Sequence, residues 1–144
     1  MKKLLALCLT VTLCLCCFAS CSLSPKIERF IPDEKISSVE IETVNYETGV
    51  EDITEKYVLT DEQSDEIKSL ISEITYVKRY NLLKEKWTYF NDIKYIFTFE
   101  TQKIVLSENH IYAYDSNGTL VEHVEFNSST FNDYLEQINE VLDN

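Results

Sequence analysis

The chain has 144 residues, a length that suits one domain, and its 44% hydrophobic and 12% aromatic content is enough to build a core. It carries 13 Lys and Arg against 25 Asp and Glu, a formal net charge of −12, which argues against nucleic acid as a partner because phosphate binding needs clustered bases. With 2 Gly there is no phosphate-cradling loop, and GxGxxG, HExxH and GxSxG are all missing, so no catalytic motif can be named.

Lys2 and Lys3 open the sequence, and Leu4 to Phe18 is an unbroken run of apolar residues, Cys and Thr, followed by Ala19, Ser20 and Cys21. A basic start, a short apolar stretch and a small-residue exit describe a secretory signal peptide. A membrane-spanning helix needs about 20 apolar residues, more than this run supplies. All five cysteines fall in this segment, so cleavage before Cys21 leaves one thiol, and the mature part has no disulfide and no Cys for metal binding or catalysis.

Phe18-Ala19-Ser20-Cys21 resembles the lipobox of bacterial lipoprotein precursors. Ala19 and Ser20 match the small residues of that pattern, while Phe18 stands where an aliphatic residue is usual. The resemblance implies that Cys21 receives diacylglycerol through a thioether and that a peptidase cuts just before it. It also implies that the protein is held by acyl chains, such as palmitate, at the extracytoplasmic face of the bacterial cell membrane. Each buried CH₂ contributes about 0.8 kcal/mol, and two or more chains give stable anchoring. The organisation expected is a leader over 1–20, a lipid-anchored tether over 21–35 and a single domain over 36–144. Losing Lys2 and Lys3 leaves 11 bases against 25 acids, a net −14.

Within the domain, Ile36 to Val44 and Ile53 to Leu59 read as strands around a turn at Glu47-Thr48-Gly49. Thr60 or Asp61 caps a helix whose Ile67, Leu70, Ile71 and Ile74 recur at helical spacing. Its acidic first turn (Asp61, Glu62, Asp65, Glu66) complements the helix dipole. Residues 93 to 126 read as a four-stranded meander, with Asn117-Gly118 as a two-residue hairpin and short turns at Glu108-Asn109 and Thr101-Gln102. This register aligns Phe97, Leu106, Ile111 and Val124 in one row and Phe99, Ile104, Ala113 and Glu122 in the next, all on one face. Ser128 or Ser129 caps a last helix with Phe131, Tyr134, Leu135, Ile138, Val141 and Leu142 at helical spacing. The fold expected is α+β: an antiparallel sheet of two N-terminal strands plus the meander, with two helices packed on one face. That order behind a lipobox also resembles, in layout alone, small Gram-positive lipoproteins to which no activity is attached.

Two places could carry function. His110, opposite Glu125, and His123, opposite Tyr112, become diagonal neighbours on the outer sheet face, so His110, His123 and Glu125 could bind zinc or copper. An exposed strand pair, however, lacks the surroundings that orient metal ligands. The second place is the stretch 77–92, which fits neither period and holds the main basic island of an acidic chain. Lys78, Arg79, Lys84 and Lys86 lie there with Trp87 and Tyr89, residue types suited to recognition surfaces. The leading expectation is an anchored binding or interaction module for an envelope protein or small ligand, with no cofactor beyond the acyl lipid on Cys21. The alternative is an envelope metal-binding protein or hydrolase-type enzyme built on the two histidines and Glu125.

Overall fold

A computed structural model describes residues 25–45, 50–82 and 93–144, with side chains outside 44–54 and 128. Seven strands form one antiparallel sheet: β1 (Ser38–Asn45), β2 (Val50–Val58), β3 (Tyr76–Arg79), β4 (Ile93–Thr98), β5 (Gln102–Ser107), β6 (His110–Asp115) and β7 (Leu120–Phe126). Their order is β2-β1-β4-β5-β6-β7-β3, so β2 and β3 are the edges. Helices α1 (Asp61–Ser72) and α2 (Phe131–Leu142) pack on one face, giving the expected α+β architecture. No described helix is long and apolar enough to cross a membrane.

The core forms where the helical stripes meet the alternating strand residues. Ile67, Ile71, Ile138 and Val141 from the helices lie against Val39, Phe97, Ile104, Leu106, Ile111, Val124 and Phe126 from the sheet. α1 starts at a reciprocal cap: Thr60 Oγ1 accepts from the Gln63 N–H while Gln63 Oε1 accepts from the Thr60 N–H. The start of α2 departs from the expected serine cap. A 3-10 turn over Ser128–Thr130 precedes it, and Asn127 holds that turn by accepting from the Ser129 and Thr130 N–H groups.

Three corrections concern the strands. Four residues of the 77–92 stretch and its flank form β3, which pairs with β7 through Tyr76↔Phe126, Lys78↔Glu125 and Arg79↔Val124. Only Tyr76 of β3 is buried, so the sequence period is too short to show it. Next, β4 and β5 pair two residues away from the expected register, with Phe97 opposite Ile104 and Tyr95 opposite Leu106. A two-residue shift keeps every side chain on its face, so hydrophobic alternation cannot detect it. Finally, the β6–β7 loop is one residue longer than a two-residue hairpin. Asp115 closes on Thr119, Gly118 takes φ +77°, and Asp115 Oδ1 accepts from the Asn117 and Thr119 N–H groups. A bulge between Ala113 and Tyr114 absorbs the extra residue and restores Tyr112↔His123 and His110↔Glu125, as expected.

The tether is also corrected. Residues 25–36 pack against the body: Ile27 and Ile36 are each 1% exposed, Lys26 bridges Thr75, and a 3-10 turn covers Ile27–Phe30. The Ile27 N–H donates to Ile74 O and the Tyr76 N–H to Pro25 O. Two prolines and mixed charge gave this stretch a linker composition. Burying Ile27 alone contributes about 1.5–3 kcal/mol, enough to dock it.

Candidate functional site

The outer sheet face is not the solvated polar surface that alternation suggests. Ile96, Val105 and Tyr112 form a second buried cluster there, and His123 is 2% exposed. β6 and β7 bring the two histidines side by side, with His110 Nδ1 and His123 Nε2 sharing a 2.9 Å hydrogen bond. One imidazole donates and the other accepts, so the pair holds together with both rings neutral. Tyr112 and Tyr80 sandwich the His123 ring at centroid separations of 4.3 and 4.2 Å. Tyr80 follows β3 directly; its N–H donates to His123 O and its hydroxyl donates to Glu125.

Burial first, and the adjacent His110 second, push the His123 pKa down to about 4. Burial also lowers His110, partly opposed by Glu125 and Glu108. Desolvation raises Tyr112 to about 12. Near neutrality both imidazoles and the Tyr112 hydroxyl are therefore uncharged, and the Lys78 side-chain nitrogen lies 3.9 Å from the Tyr80 ring centre.

The alternative metal trio of His110, His123 and Glu125 is not assembled among the described residues. Among the described residues no group of three or more His, Cys, Asp or Glu side chains is placed to hold a metal ion. The histidine nitrogens converge, but Glu125 is engaged by Tyr80 and by Asn109. Its cross-strand position opposite His110 gave the right neighbours without the right direction.

Of the basic island, Lys78 and Arg79 are described, while Lys84, Lys86, Trp87 and Tyr89 lie outside the described residues, as does Cys21. β3 sends Lys78 and Arg79 to different partners. Lys78 sits over Tyr80 on the outer side, whereas Arg79 reaches Glu122 with two guanidinium nitrogens, Nε at 2.7 Å from Oε1. Glu122 is the one acid in the expected apolar rows; it is 7% exposed, and this pairing accommodates it.

A groove of ≈ 350 Å³ had no sequence signal, because its walls come from β1, β2, β4 and α2. Tyr57 and Tyr95 line it; Tyr57 donates to Glu55 and Tyr95 to Asn139 Oδ1 at 3.0 Å, with Asp143 at the rim. The bond to Glu55 pushes Tyr57 up to about 12. Among the described residues no base lines this groove.

The fold and these surfaces define an α+β domain with an aromatic–imidazole stack beside one sheet edge and an acidic, tyrosine-lined groove toward the other. No family model, curated protein or solved structure matches the chain.

Proposed function

We propose that the protein is a lipid-anchored binding lipoprotein displayed at the extracytoplasmic face of a bacterial cell membrane. The observation that carries this reading is chain order: the lipobox-like Phe18-Ala19-Ser20-Cys21 is followed, from Pro25 on, by residues packed into a folded body. Binding is favoured over catalysis because one nitrogen of each histidine bonds the other and tyrosines cover both faces of His123. The groove and the surface around β3 supply the aromatic, polar and charged groups that recognition uses. The second reading, a metal-binding or hydrolase-type centre on His110, His123 and Glu125, draws on the converging histidine nitrogens alone. Cys21→Ser tests the anchor. The wild-type chain incorporates labelled fatty acid and sediments with membranes, and the variant does neither. Equal membrane retention, or no label on the wild type, refutes the reading.

A further inference from the structure

We propose that the β3 edge is the side of the domain apposed to the bilayer, with the β2 edge and its tyrosine groove turned outward; this rests on acylation of Cys21. The first argument is reach. Cys21 and Pro25 are four Cα–Cα steps apart, so at about 3.8 Å each the anchor lies at most about 15 Å from Pro25. Pro25 is not at the end of a loose tether. Its carbonyl accepts from the first residue of β3, Lys26 bridges Thr75, and Ile27 is buried in the core. The corner that carries β3 is therefore the part of the body nearest the lipid.

The second argument is charge. Lys26, Arg29, Lys78 and Arg79, all exposed residues, cluster around β3 and offset the nearby Glu28, Glu73, Glu122 and Glu125. The other side is acidic. α1 begins against β1 and β2, since the Leu59 N–H donates to Ser37 O and the Ile36 N–H to Ser64 Oγ. Its exposed Asp61, Glu62, Asp65 and Glu66 lie there, along with Glu55 and Asp143 of the groove and Glu40 of β1, and they outnumber Lys35, paired with Asp61, and Lys56, paired with Glu40. An anionic headgroup layer repels that side most strongly, and the repulsion falls off within a Debye length of about 8–10 Å. Tether and field thus turn the same edge toward the membrane. The partner of the β3 edge is an anionic lipid surface, and the groove is left open to partners arriving from outside.

Two exposed valines mark the edges, Val77 on β3 at 67% and Val58 on β2 at 80%. They are separated by six strand spacings, roughly 29 Å at about 4.8 Å each. Val77→Cys and Val58→Cys, each carrying a fluorophore on the acylated protein, are reconstituted into phosphatidylcholine–phosphatidylglycerol vesicles containing a headgroup-attached quencher. The expected result is several-fold stronger quenching at 77 than at 58. Equal quenching, or stronger quenching at 58, overturns the orientation while fatty-acid label on Cys21 keeps the anchor intact. Absence of that label removes the anchor and the orientation with it.

Discussion

The His110–His123 pair makes the fold sensitive to acid in a window set by its burial. In an unfolded chain an imidazole takes up a proton near pH 6.5. In the folded protein, desolvation and the neighbouring His110 delay this at His123 until about pH 4. The folded pKa lies below the unfolded one, so the unfolded state binds the proton first and stability falls as pH drops between these values. Above about pH 6.5 nothing is lost. At 1.36 kcal/mol per unit, the loss by pH 4 is about 3 kcal/mol. Glu125 and Glu108 oppose the effect, while Lys78 and His110 add to it. His123→Phe keeps a ring between Tyr80 and Tyr112 and removes the titration. Urea unfolding of both proteins at pH 7.5, 5.5 and 4.5 separates the terms. At typical urea slopes for small domains the wild-type midpoint falls by about 1.5–2 M between pH 7.5 and 4.5, and the variant's falls by clearly less. Glu34 and Asp115, whose carboxyls are held below their usual range by bonds from Thr101 and from the Thr119 N–H, add the same acid slope to both proteins. Parallel profiles for the two proteins would show that the stack does not keep His123 neutral.

Ile27→Ala costs about 2–4 kcal/mol in urea unfolding if residues 25–36 belong to the core, and nothing measurable if they form a tether. Arg79→Ala leaves Glu122 buried without its guanidinium and costs about 2 kcal/mol, most of it recovered in Arg79→Ala combined with Glu122→Leu; an undiminished loss in the double variant counts against that pairing. Zinc or copper added to the wild type and to His110→Ala gives equally weak binding by calorimetry, because among the described residues no third ligand converges on the histidines; tight binding lost in the variant would restore the metal reading.

Much of the sheet was legible in the sequence because alternation fixes which side chains share a face once that face is buried, although it leaves two-residue slips such as that of β4 against β5 open. The pairings His110↔Glu125 and Tyr112↔His123, and with them the neighbouring histidines, match those expected from a two-residue Asn117-Gly118 hairpin only because the bulge between Ala113 and Tyr114 absorbs the extra loop residue, which no local pattern announces. The direction of Glu125 did not follow, because register fixes which residues are neighbours but not their rotamers. Tyr80 lies within the 77–92 stretch, and nothing local says that it stacks on a histidine more than forty positions later.

By itself, the sequence determined the two helices, the strands other than β3, the faces of the meander strands, the helical stripes and the acidic character of the body, all of which are periodic or compositional properties. It also supplied the lipobox-like segment from which the anchor is proposed. Tertiary structure alone decided that β3 closes the sheet against β7, that a proline-bearing linker composition docks into the core, and that an outer strand face buries His123. Each of these depends on contacts between segments remote in the chain. Their stabilisation comes from surface removed from water when the pieces meet, and no local pattern records that surface.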